Sequence, residues 1–263
     1  MSDRVTVSLA EGVADVRLAR ADKLNALDGA MFEAILDAGR RLAGEPSLRA
    51  VVLSGEGRAF SAGLDFPSFQ GAERTVDLFE RSDESPANLA QRVAWIWTEL
   101  PVPVIAAVHG YAFGGGLQIA LGADLRIVSP DAQLSVMEIK WGLVPDMAGT
   151  QLLRRLVRLD VAKELTYTGR RVSGEEAVAL GLATRVAADP RAEALALARE
   201  IASKSPDAIR AGKRLLDDSV RVGAGEGLLL EEKVQRGLLG SPNQLEAVRA
   251  NFEKRAPRFQ DPE

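Results

Sequence analysis

Apolar and polar positions alternate with period two over residues 5–9 and again over 14–18, the pattern of strands with one buried face. Glu11-Gly12 between them reads as a hairpin turn. The period then lengthens. Behind Asp28, an N-cap candidate, Phe32, Ile35, Leu36, Gly39, Leu42 and Ala43 recur at helical spacing and predict one buried helix face. Residues 50–53 and 104–108 are unbroken apolar runs and read as buried strands, and 125–128 reads as another. From about Asp160 the pattern turns helical. Ser173 with Glu176 three residues on reads as a capping box, and Gly181 suits the stop of that helix. Asp189-Pro190, Ser205-Pro206 and Ser241-Pro242 each set a capping side chain before a proline at the first helical position. They predict helices near 190–204, 206–220 and 242–255, and weaker signals predict a fourth near 226–239. The polar, charged stretch 70–86 reads as a mobile segment or an irregular helix. The pattern as a whole is α/β, then helices.

A chain of 263 residues fits one large α/β unit, and 46% hydrophobic content gives it an ample core. The formal charge is −4, with Lys and Arg scattered, so no nucleic-acid surface is expected. No apolar run approaches the ~20 residues that span a bilayer, so no membrane association is expected. The strand pattern starts almost at once, so no signal peptide is expected. With no cysteine and one histidine, His109, disulfides, thiolate chemistry and a His-based metal site are not expected. A cytoplasmic location is consistent with that composition.

Two loops carry the chemistry. Ala59-Phe60-Ser61-Ala62-Gly63-Leu64-Asp65 and His109-Gly110-Tyr111-Ala112-Phe113-Gly114-Gly115-Gly116 each follow a buried strand and place glycine where bare backbone approaches a ligand. The second runs into an apolar helix whose first N–H groups lack intrahelical partners. Facing one another, such loops could aim two N–H donors at one oxygen, the design of an oxyanion hole. A dinucleotide loop fits poorly, because Ile119 stands where that fingerprint needs glycine or alanine. The first loop also resembles a nucleophile elbow around Ser61, but no histidine follows His109 to serve it. His109 itself reads as a hydrogen-bonded structural residue.

With Asn25-Ala26-Leu27, Gly142-Leu143-Val144-Pro145 and Glu253-Lys254-Arg255, these loops make the chain similar to the crotonase family, the enoyl-CoA hydratases and isomerases, over nearly its whole length. The resemblance implies an α/β spiral of ββα turns over 1–200 and a C-terminal helical trimerisation region over 201–263. A homotrimer or a dimer of trimers follows. It implies that the N–H groups of Leu64 and Gly115 hold the thioester oxygen of an acyl-CoA substrate, each worth roughly 3–4 kcal/mol. Coenzyme A arrives as part of that substrate, and no separate cofactor is expected. By the same resemblance Lys23, Asn25, Ala26 and Leu27 lie along the CoA, with Ala62, Asp65 and Phe66 on the same side and Lys254 reaching its phosphates.

Hydratases of the family carry two glutamates that share a water. Here the first place holds Gln118, which cannot exchange a proton near neutral pH, and the second holds Glu138. Asp146, eight residues on, matches an acid of the dienoyl-CoA isomerases, which also carry an acid where this chain has Gln118. The expected reaction is therefore positional isomerisation of an unsaturated acyl-CoA, with Glu138 as base and Asp146 as a second acid. Hydration of a 2-enoyl-CoA is the alternative, and a catalytically weak acyl-CoA-binding paralogue a third reading.

Overall fold

The structure, a computed structural model, describes residues 4–69 and 77–262. Strands β1 (Val5–Ala10) and β2 (Val13–Leu18) form the expected hairpin, with Val7 opposite Val16 and positive φ at both Glu11 and Gly12. Strands β3 (Ala50–Gly55) and β4 (Val104–Val108) follow in parallel beside β2. Five shorter strands come after: β5 (Tyr111–Phe113), β6 (Leu125–Val128), β7 (Gln133–Ser135), β8 (Val172–Ser173) and β9 (Arg185–Val186). They make two sheets, one ordered β1-β2-β3-β4-β6-β9 and a small one ordered β5-β7-β8.

Every residue of β3 and β4 is buried, because helices cover both faces of the large sheet. On one face lie α1 (Gly29–Ala43) and α2 (Leu89–Glu99), burying Phe32, Ile35, Leu36 and Trp97. Each such side chain contributes about 1.5–3 kcal/mol. The other face is covered by α7 (Pro190–Ala202), whose Ala194 and Ala198 pack on Val52, Ile105 and Ile127. In chain order between α2 and α7 come α3 (Gly115–Leu121), which packs on α2, and then α4 (Gly149–Leu156), α5 (Leu159–Thr168) and α6 (Gly174–Leu180). The chain closes with α8 (Pro206–Ser219), α9 (Ala224–Leu238) and α10 (Pro242–Phe252), in which α8 packs against both of the others. No helix among the described residues is long and apolar enough to cross a membrane.

Several local expectations change. Asp28 caps α1 through the Met31 N–H, but Ala43 is exposed, past the end of the buried face. Ser173 caps α6 through the Glu176 N–H, yet the box lacks its return bond because Arg170 takes the Glu176 carboxylate. Asp189 and Ser241 cap α7 and α10, whereas the Ser205 side chain makes no cap bond and Pro206 alone opens α8. The pattern misses α2, which carries a full capping box between Asn88 and Gln91. It also starts the helical part too late, since α4 begins at Gly149. Residues 77–86 form turns and a bridge from Arg81 to Asn88 rather than a helix, and 70–76 lie outside the described residues.

Candidate active site

The first loop is stitched to the second by three backbone bonds, two of them to β5: Phe60 N–H to His109 O at 2.9 Å, Ser61 N–H to Tyr111 O at 2.9 Å, and Phe113 N–H to Ser61 O at 3.1 Å. Its other edge is held by residues 24–27. Ala62 donates to Leu24 O and Asp65 to Leu27 O, both at 2.9 Å, and Leu27 donates to Gly63 O at 2.8 Å. Close approach fixes glycine at two points. A Cβ at Gly63, where φ is +87°, would stand 2.6 Å from Phe113 O and 3.6 Å from the Gly115 nitrogen. Gly114, at φ +50°, lets α3 begin directly against the Glu138 carboxylate, which a Cβ would meet at 3.2 Å. The two turns therefore face one another. Neither Leu64 N–H nor Gly115 N–H donates to any protein group among the described residues.

Glu138 opens a short 3-10 turn that ends at Trp141, and it is 9% exposed. Its Oε1 accepts from Gln118 Nε2 at 2.6 Å, while Oε2 is buried without a partner. The orientation of Gln118 is fixed from behind. Its Oε1 accepts from the Met147 and Gly149 N–H groups, each at 2.8 Å, so its NH2 group must face Glu138. Gln118 thus aims the Glu138 carboxylate. Burial pushes the Glu138 carboxyl above the usual carboxylate range, its own backbone N–H and Gln118 pull it back, and the charge of Asp146 raises it further. Asp146 is exposed on the turn before α4, and partial burial raises its carboxyl as well.

The remaining expected residues divide into frame and surface. Asn25 is fully buried, and its carboxamide is spent on Arg20 N–H, Glu56 O and Ala59 O, at 2.8, 2.9 and 2.8 Å. Leu27 is fully buried in the core. Asp65 pairs with Arg20 at 2.7 Å, and Arg20 also reaches Asp28 at 3.4 Å and Ala26 O at 3.1 Å. Phe66 lies 4.5 Å from the Trp141 ring, which ties the first loop to the turn that carries Glu138. Ala62 and Ala26 are half-buried, and Lys23 is exposed. Lys254, also exposed, follows α10. Ser61 Oγ is buried and donates to Asn25 O at 2.8 Å, and His109 Nε2 lies 2.9 Å from Gly57 O. Neither group is free to act as nucleophile or base in a hydrolase. The pattern missed two features: the Met147 and Gly149 donors behind Gln118, and the Phe66–Trp141 contact. The first depends on a turn at Ala148, whose positive φ on a non-glycine residue leaves no trace in residue type.

A family model described as Enoyl-CoA hydratase/isomerase matches residues 8–262. The mouse "Enoyl-CoA hydratase domain-containing protein 2, mitochondrial" is 33% identical over 259 residues, covering 95% of this chain and 84% of that protein. A Bacillus subtilis protein named "Probable enoyl-CoA hydratase" is 37% identical over 243 residues, covering 89% and 90%. Among solved structures, an enoyl-CoA hydratase from Bacillus anthracis superposes with a TM-score of 0.88 at 32% identity, covering 97% of this chain and 98% of that one.

Proposed function

Since the chain belongs to the enoyl-CoA hydratase/isomerase family and has its crotonase-like α/β fold, we propose that it shifts a C=C bond of an unsaturated acyl-CoA, with Glu138 moving the proton. Glu138 removes a proton from the carbon next to the thioester of a 3-enoyl-CoA. The C–H pair then enters the conjugated system and charge collects on the thioester oxygen, where Leu64 and Gly115 N–H receive it. Protonation at the far carbon by the same carboxylic acid completes the shift and restores the base. One carboxylate suffices, because no water is added. The observation that carries this reading is the commitment of Gln118. Both its amide oxygen and its NH2 group are spent on the frame and on Glu138, so no second acid or base stands where two-carboxylate hydration uses one.

Hydration of a 2-enoyl-CoA is the second reading. The names of the relatives favour it, and so does Asp146, whose charge is felt by Glu138. The assembly in this reading is a homotrimer or dimer of trimers, supported by Leu228, Leu229, Leu245 and Phe252, which α9 and α10 leave exposed. Light scattering tests that mass. A panel of 2-enoyl, 3-enoyl and dienoyl thioesters in deuterated water tests the reaction. The expected result is conversion of 3-enoyl to 2-enoyl thioester with deuterium incorporation that Glu138→Gln abolishes. Rapid hydration of the 2-enoyl thioester with no 3-to-2 shift refutes isomerisation and promotes the hydratase.

A further inference from the structure

No step of the proton transfer uses Ser61, a fully buried residue whose every polar atom is committed in and around the two loops. Its N–H and carbonyl pair with Tyr111 O and Phe113 N–H of β5, at 2.9 and 3.1 Å, and β5 leads through Gly114 straight into Gly115. Its hydroxyl donates to Asn25 O at 2.8 Å and accepts from Gly63 N–H at 3.2 Å. A hydroxyl can serve both partners at once, since it carries one proton and acceptor lone pairs. On its remaining side Ser61 meets the first turn of α3. A Cβ on Gly116 would stand 2.6 Å from Ser61 O and 2.7 Å from both Cβ and Oγ.

These contacts decide where two peptide planes point. Leu27 N–H takes Gly63 O and Asp65 N–H takes Leu27 O, in a parallel bridge between Leu27 and Leu64. N–H groups alternate in direction along an extended segment, so Leu64 turns its own away from residues 24–27. The peptide just before it carries the Gly63 N–H, whose protein partner among the described residues is the Ser61 hydroxyl. Gly63 has no side chain to lock its backbone, so that bond fixes the plane from which Leu64 continues. Ser61 thereby fixes Leu64 through its hydroxyl, and Gly115 through its pairing with β5 and its contact with Gly116.

We infer that Ser61 is a positioning residue: it sets the separation and direction of the Leu64 and Gly115 N–H groups so that both reach one thioester oxygen. The inference rests on the role proposed above for those two donors. Without the hydroxyl, the backbone pairing to β5 remains and the loops still dock. The Gly63 peptide then loses its anchor, and the Leu64 donor drifts relative to Gly115. A donor of this kind works only where it meets the charge that develops, and a misplacement of about 1 Å costs about 10²-fold in rate. A serine that only filled space and satisfied the backbone would lower stability when removed and leave the rate per folded molecule intact.

Ser61→Ala and Ser61→Cys, compared with the wild-type chain, test this, the thiol keeping a weak donor and acceptor at nearly the same volume. On a 3-enoyl-CoA, kcat should fall about 10²-fold in Ser61→Ala with KM changed less than about twofold, and Ser61→Cys should recover part of the loss. A second readout needs no turnover: the difference infrared spectrum of bound hexanoyl-CoA, isotopically labelled at its thioester carbonyl. Two donors on the oxygen weaken the C=O bond, so the wild-type stretch should lie below its value in solution and return toward it in Ser61→Ala. Should Ser61→Ala not fold, Ser61→Cys carries both readouts, with smaller changes in the same directions. A wild-type stretch equal to that in solution overturns the donor pair and this inference with it. A lowered wild-type stretch that folded Ser61→Ala keeps in full, whether or not its rate falls, overturns this inference alone.

Discussion

Replacing Glu138 by Gln should make the protein more stable and nearly inactive, and the gain in stability should depend on pH. The buried carboxylate has one oxygen satisfied by Gln118 and one with no partner. A buried unsatisfied polar atom costs about 1–3 kcal/mol, and more when charged. Glutamine keeps the bond from Gln118 and leaves a neutral group where the unpaired anion stood, so a net gain of about 1–2 kcal/mol is expected at neutral and higher pH. For a chain of this size that corresponds to a rise in Tm of roughly 2–8 °C. Because the carboxyl is raised in the folded protein, the native state binds more protons than the unfolded chain between the ordinary glutamate pKa and the raised one. The wild-type protein therefore loses stability as pH rises through that window and does not regain it above. Calorimetric melts of both proteins at about pH 4, below the ordinary glutamate pKa, and at about pH 8 should give a small difference at the first and the full gain at the second. Turnover should fall about 10²–10⁴-fold with acyl-CoA affinity little changed. A variant less stable at the higher pH, or a gain equal at both, would refute the account of a strained buried base.

Gln118→Ala should lower stability by about 2–6 kcal/mol, because it orphans the Met147 and Gly149 N–H groups, and should reduce turnover by releasing Glu138; melts and initial rates check both. Asp146→Asn should move the acid limb of the pH–rate profile to lower pH, since Asp146 raises Glu138, and should impair dienoyl substrates more than simple 3-enoyl ones. An unmoved limb would show that the two acids act apart. Arg20→Met breaks the pairs to Asp65 and Asp28 and should cost about 3–5 kcal/mol, read as a drop in denaturant midpoint. Gly115→Pro deletes one of the two N–H donors proposed to hold the thioester oxygen and strains the loop, so no turnover should remain in a thioester assay while the circular dichroism stays native-like.

The long elements were legible because burial imposes a period. Strands β1 to β4, β6 and α1 each carry enough apolar positions for the pattern to stand out, and the Asp189 and Ser241 caps sit where Pro marks the first turn. Strands β5 and β7 to β9, at two or three residues, are too short to show a period, and they are defined by their partners instead. Of the site, the residue types could be read and their surroundings could not. Gln118 has the same formula facing solvent as it has clamped between two N–H donors and a carboxylate. Asn25 stood beside the expected CoA path, yet its side chain is wholly occupied in holding the first loop. Nothing in the string of letters distinguishes a polar side chain that meets a ligand from one that satisfies the backbone.

The stitching of the first loop to β5 also bears on how the protein reaches its native state. Leu64 and Gly115 come from distant parts of the chain, and their donors face each other only after β3, β4 and β5 have docked and Ser61 has bridged to Ala112. Parallel pairing of this kind is non-local, and loop closure must precede the contacts that reward it, so it forms slowly. A collapsed intermediate with its helices formed would carry every residue of the candidate site and still lack the facing pair of N–H donors. Recovery of turnover after dilution from denaturant should accordingly lag behind recovery of helical circular dichroism, which makes catalysis a clock for the last step of folding.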